Sequence, residues 1–144
     1  MIRLVLGSVA ILFVVIQFIP YGRNHDNPPV VAEPQWDSER TRSLAVRACY
    51  DCHSNETQWP WYSHISPVSW LVQRDVDAGR AVLNFSDWRR PQPEAGESAK
   101  EVVEGEMPPW FYVIGHGDAS LNEIEKRDLI RGLEATLGTS ESDE

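Results

Sequence analysis

The first twenty residues carry the strongest apolar signal in the chain. Residues 4–19 read LVLGSVAILFVVIQFI, with Gln17 the only strongly polar side chain and Arg3 just ahead of them. A run with no polar face predicts a membrane-crossing helix rather than an amphipathic core helix. No small-x-small cleavage site follows, because the run meets Pro20, Tyr21, Gly22, Arg23 and Asn24. An uncleaved anchor over 1–20 is therefore expected instead of a removed leader. At ~1.5 Å per residue the run spans roughly 24 Å. Met1, Ile2 and Pro20 extend it toward a ~30 Å hydrocarbon core. Arg3 favours an inside N-terminus. The expected location is thus the bacterial cytoplasmic membrane, single-pass, with the domain facing the periplasm or cell exterior.

Beyond the anchor the pattern changes. Residues 21–36 hold Gly22, Pro28, Pro29 and Pro34 and predict an extended tether. Asp37 opens a helix running through Leu44, Ala45, Ala48 and Cys52. The stretch Ser54–Ile65 is aromatic and irregular. Ser66-Pro67 opens a second helix with an apolar face of Trp70, Leu71 and Val76. A loop over 84–97 with Pro91, Pro93 and Gly96 leads to a short helix at Ser98–Glu104. Met107–Trp110 is Met-Pro-Pro-Trp, which cannot be helix interior. A last helix is expected from Ser120, with Glu123 as capping-box partner, to Gly138. Its apolar positions are Leu121, Ile124, Leu129, Ile130, Leu133 and Leu137. Residues 139–144 form an acidic tail. With no repeat and no strand pattern, the chain reads as one small all-α domain over 37–138.

Charge narrows the partners. Lys and Arg number 13 against 22 Asp and Glu, a formal net charge of −9 over 144 residues. A nucleic-acid binder needs a basic face, so that class is excluded, and cationic partners are favoured. Six Trp and an apolar share of 42% exclude a disordered chain. Two Cys exclude a disulfide-dense scaffold.

Those two cysteines carry the chemistry. Cys49-Tyr50-Asp51-Cys52-His53 is C-x-x-C-H, the attachment signature of a c-type haem. Two thiols bond the two vinyl groups of a porphyrin, and the next residue, His53, supplies an imidazole nitrogen to its iron. On a helix all three side chains share one face. A dithiol or disulfide reading leaves His53 unexplained and lacks a surrounding βαβ pattern. A zinc site needs about four ligands, and His53, His64 and His116 show no paired spacing. The expected cofactor is one covalently attached haem c per chain. Met107 is the one Met beyond Met1, and soft thioether sulfur suits haem iron, so it is the candidate second axial ligand. His64 and His116 are its rivals, and His25 lies in the tether. Trp59, Trp61, Tyr62, Trp70, Trp88, Trp110 and Phe111 are candidates for the crevice wall or simply the core. Arg47, Arg74 and Arg80 are candidate propionate partners, though each also fits a solvated helix face.

The stretches Ala48–Ser54 (ACYDCHS), Trp59–Ser63 (WPWYS), Gly79–Trp88 (GRAVLNFSDW) and Glu106–Trp110 (EMPPW), with Tyr112 and His116, resemble the haem-binding domain family over roughly residues 35–137. These are small membrane-anchored proteins similar to mono-haem c-type cytochromes. The resemblance implies a small cytochrome c-like helical domain behind a single N-terminal transmembrane helix. It implies Cys49 and Cys52 as thioether sites, His53 as proximal ligand and Met107 as distal ligand. The sequence departs from the family at Arg89–Glu97, which is Pro-rich where a longer helix is expected. The expected function is one-electron transfer by a tethered cytochrome. Its partners would be redox proteins at the membrane, the haem-attachment machinery and the membrane itself. The alternative is a haem-based sensor or gas-binding module with an open or displaceable distal site. No distal acid-base constellation beyond His64 and His116 supports an enzyme such as a peroxidase.

Overall fold

A computed structural model describes residues 1–139; of the expected acidic tail over 139–144, residues 140–144 lie outside that range. The described residues form seven α-helices and no named strand. These are α1 (Ile2–Ile16), α2 (Glu39–Ala48), α3 (Tyr50–His53), α4 (Val68–Val82), α5 (Ser98–Glu104), α6 (Trp110–Gly115) and α7 (Glu123–Leu137).

The expectation of a transmembrane anchor does not hold. Among the described residues no helix is long and apolar enough to cross a membrane. α1 covers 15 residues, about 22 Å at ~1.5 Å each, well short of the ~30 Å hydrocarbon core. Its C-terminal end is tied to the domain. Gln17 Nε2 donates to Ser66 O at 2.8 Å and the Ser66 amide donates back to Gln17 Oε1 at 3.0 Å. The structure thus supports neither the single-pass anchor nor the membrane location that rested on it. α1 itself buries none of its residues.

The proline-rich stretch that follows is extended and fastened to the domain. The Val31 amide donates to Ser86 O at 2.8 Å, and the Trp88 amide to Ala32 O at 3.0 Å. Arg42 forks onto Glu33 with bonds of 2.7 and 2.6 Å, and this pairing holds the Glu33 carboxyl below its usual range.

The core lies where α2, α5 and α7 meet. Leu44, Ala45, Val102, Leu129 and Leu133 are buried there. An aromatic stack closes its other side. Tyr50 lies over Phe85 with centroids 5.5 Å apart, and Phe85 over Trp88 at 6.3 Å. Helix ends follow local chemistry. Ser38, not Asp37, caps α2 by accepting from the Thr41 amide. Asn122, not Ser120, caps α7 in a capping box with Glu125.

Candidate functional site

The C-x-x-C-H segment is a separate helical turn. The chain breaks at Cys49 (φ −125°, ψ −32°) instead of continuing α2 through Cys52. The Cys52 and His53 amides both return to Cys49 O, at 3.2 and 2.9 Å. This single turn brings Cys49, Cys52 and His53 to one face. Neither cysteine is in a disulfide. Burial pushes the Cys49 thiol up to about 12 and the Cys52 thiol up to about 11, so both stay protonated near neutral pH.

α4 holds the histidine. His53 Nδ1 sits 3.1 Å from both Gly79 O and Leu83 O. Carbonyl oxygens only accept, so Nδ1 carries the proton and the lone pair is left on Nε2, the tautomer a metal needs. Burial pushes the imidazole pKa down, against the raising effect of the two carbonyls. A neutral ring is the ligating form. Gly79 makes the approach possible, because a Cβ there would collide with the Cys52 carbonyl.

Met107 arrives from a different element. α5 ends at Gly105 in the left-handed region (φ 79°). The Glu106 amide donates to Glu101 O at 3.0 Å and the Gly105 amide to Val102 O at 3.3 Å, the Schellman arrangement. The Met107 amide adds a third bond, also to Glu101 O, at 3.2 Å. Met107 is half-buried and packs against the core. Trp110, the neighbour it might have packed on, is 74% exposed.

These four side chains line one cavity of about 450 Å³. Leu83, Phe85, Val102, Phe111 and Leu133 supply apolar wall, and Tyr112 and Asp51 are also in the lining. The rival ligands do not line it. His25 stacks on Trp59 at 4.7 Å and meets His64 edge-on at 4.3 Å. His116 stacks on Tyr112 at 4.1 Å and accepts or donates to Tyr62 Oη at 3.1 Å. Of the expected aromatic wall only Phe111 is present, with Phe85 and Tyr112 taking the other positions.

The arginines serve elsewhere. Arg47 forks onto Glu125 at 2.8 Å twice. Arg80 bonds Ser54 O, Asp26 O, Asn27 Oδ1 and Thr57 Oγ1 at 2.7–2.9 Å, tying down the loop that leaves His53. Arg74 is exposed and does not line the cavity. The donor set fits a haem. The wall is mostly apolar, the imidazole is correctly protonated and two thiols share its turn. It does not fit zinc. Among the described residues no group of three or more His, Cys, Asp or Glu is placed to hold a metal ion.

Comparison with known families decides the assignment. The model of the haem-binding domain matches residues 11–135. The chain belongs to the haem-binding domain family. No curated protein and no solved structure gives a significant match. Haem binding is thus a family property of the fold just described, and the cavity beside α3 is where this haem-binding domain gathers the residues suited to it. Sequence reasoning missed the roles of two residues: Arg80, expected only as a propionate partner, ties down the loop after His53, and Tyr112, in the cavity lining, bonds Asp51. Their partners stand dozens of residues away, and no local pattern announces them.

Proposed function

We propose that this haem-binding domain is a mono-haem c-type cytochrome that carries single electrons. The observation that carries the reading is the convergence of Cys49, Cys52, His53 and Met107 on one apolar cavity. Cys49 and Cys52 would hold the porphyrin, each thiol adding across one vinyl C=C. The sulfur bonds one carbon and the thiol proton ends on the other, so no oxidant is consumed. His53 Nε2 would hold the iron, its ring oriented by the Gly79 and Leu83 carbonyls. Met107 sulfur would be a second ligand to the iron, and a thioether there would raise the reduction potential. A bound haem supplies an Fe(III)/Fe(II) couple. The chain positions that couple and excludes water from it, and does no bond chemistry on a substrate. Its partners are redox proteins, and the haem-attachment machinery during assembly.

The test is an alkaline pyridine haemochrome spectrum of protein co-expressed with that machinery and extracted with acidic acetone. A c-type spectrum surviving extraction is expected. Loss of all haem on extraction would overturn the covalent assignment and return Cys49 and Cys52 to a dithiol role. A second reading, a sensor with a displaceable distal ligand, is favoured by one feature: α6, which follows Met107, buries none of its residues. Carbon monoxide separates the two. Slow, weak binding to the reduced protein fits the carrier, and fast tight binding fits the sensor.

A further inference from the structure

The segment from Met107 to His116 is a strap held at few points. Its α6 buries no residue, and Trp110 and Ile114 are 74% and 77% exposed. A helix of six residues has little stability of its own, so its position depends on what fastens it. Its backbone bonds give no such fastening along its length. The Tyr112 and Val113 amides return to Pro109 O, and the His116 amide to Tyr112 O and Val113 O. Hydrogen bonds out of the strap come at the two ends and through two side chains. Met107 hangs from Glu101 O at one end, and the Ala119 amide reaches His116 O at the other.

Of the two side chains, His116 meets Tyr62 Oη at 3.1 Å. The other is Tyr112, whose hydroxyl donates to Asp51 Oδ2 at 2.6 Å. Asp51 stands between the two cysteines of C-x-x-C-H, so this is the strap's one side-chain bond to the haem-binding turn among the described residues. The acceptor is rigidly placed. Asp51 Oδ1 takes the Gln58 amide at 2.7 Å, and Asp51 O takes Thr57 Oγ1 at 2.7 Å. The donor is braced as well, since its ring stacks on His116 at 4.1 Å with planes 16° apart. Both Tyr112 and Asp51 line the cavity beside Met107.

We propose that Tyr112 is a positioning residue: its bond to Asp51 latches the strap, and with it Met107, against the cavity. The proposal rests on the reading of Met107 as the second axial ligand, and deepens it. A bond to a carboxylate acceptor is strong among hydrogen bonds. The turn that binds the cofactor thereby also sets how firmly the distal ligand is held.

The experiment compares the haem-loaded wild type with Tyr112→Phe, Asp51→Ala and the double variant. Tyr112→Phe keeps the ring and removes only the donor. Four readouts are taken: amide hydrogen exchange over residues 107–116, the far-red sulfur-to-iron band, the reduction potential, and the carbon monoxide association rate of the reduced protein. Tyr112→Phe is expected to speed strap exchange and carbon monoxide association by about tenfold or more. The far-red band weakens and the potential falls, while exchange in α2 and α7 stays unchanged. In the Asp51→Ala background Tyr112→Phe is expected to add nothing, because the partner is already gone. Unchanged strap exchange in Tyr112→Phe overturns the latch. Faster exchange with an unmoved band and potential overturns its role in placing Met107. If the wild type itself lacks the far-red band, the axial assignment of Met107 fails. The exchange measurement then still decides whether the latch exists, by whether faster exchange reaches the Met107 amide. Should Asp51→Ala lose haem through its place in the motif, Tyr112→Phe alone gives the answer.

Discussion

Gly79 sets the distance between α4 and the turn that carries His53. With no side chain it lets its own backbone reach the Cys52 carbonyl, where a Cβ would collide with a rigid backbone atom. Its carbonyl is also one of the two that orient His53. Gly79→Ala therefore tests both effects together. An Ala inside a helix normally gains up to ~1 kcal/mol over Gly. Here the overlap is with backbone, so the cost of overpacking, about 1–3 kcal/mol, outweighs that gain. The expected outcome is a lower melting temperature and an altered haem spectrum; a more stable variant with an unchanged spectrum would show that α4 is not tightly seated. Glu125 is the second informative residue. The two bonds from Arg47, helped by the Asn122 amide, pull its carboxyl from the usual 4.5 down to about 2. A carboxyl depressed in the folded state binds fewer protons there than when unfolded. Its stabilisation is complete above the unfolded value, near 4.5, and is lost as pH falls toward 2. The melting-temperature gap between wild type and Glu125→Gln should be full near neutral pH and close across that window. A gap that is independent of pH would show that the ion pair contributes nothing.

α7 depends on its first turn in the same way. Asn122 Oδ1 accepts from the Ile124 and Glu125 amides at 2.9 and 3.0 Å. Asn122→Ala should cost about 1 kcal/mol and lower the melting temperature by a few degrees, read by calorimetry, without moving the haem spectrum. That cap also shows how far the sequence could be read. Two overlapping signals exist, Ser120 with Glu123 and Asn122 with Glu125. The first fails because the Ser120 amide closes the 3₁₀ turn Gly117–Ala119 by donating to Gly117 O. The helix at Ser98–Glu104 was legible from its own residues, and so was the stop at Gly138. The end of α1 was not. Gln17 is one polar residue in an apolar run, and its partner Ser66 becomes visible only in the folded chain. The site divides along the same line. Cys49, Cys52 and His53 were legible because a motif is local, and Met107 because no other domain Met competes. The Tyr112–Asp51 bond spans 61 residues and had no local sign.

At the scale of the molecule the dominant fact is charge. The net charge of −9 is not spread evenly about the cavity, whose lining includes Asp51, Asp75, Glu94, Glu97 and Glu101 and no Lys or Arg. Lys100, 3.9 Å from Glu97, stands outside the lining. In the proposed carrier role, the redox centre would lie within a negative field. Such a field raises the encounter rate of cations and lowers that of anions, by factors of ~10 or more at low salt. The field is screened over about 10 Å at 0.1 M salt and about 3 Å at 1 M. Small inorganic oxidants isolate the effect, because they need no docking geometry. Oxidation of the reduced protein by cationic tris(phenanthroline)cobalt(III) should be fast at low salt and slow down steeply as salt is added. Oxidation by anionic hexacyanoferrate should start slow and speed up. Replacing the exposed Asp75 and Glu94 by Lys should flatten both salt dependences, since it changes the local charge by four units without touching His53 or Met107. Identical salt responses for the two oxidants would mean that the acidic lining does not face the route by which electrons leave. The partner's basic face would then have to be sought against another surface.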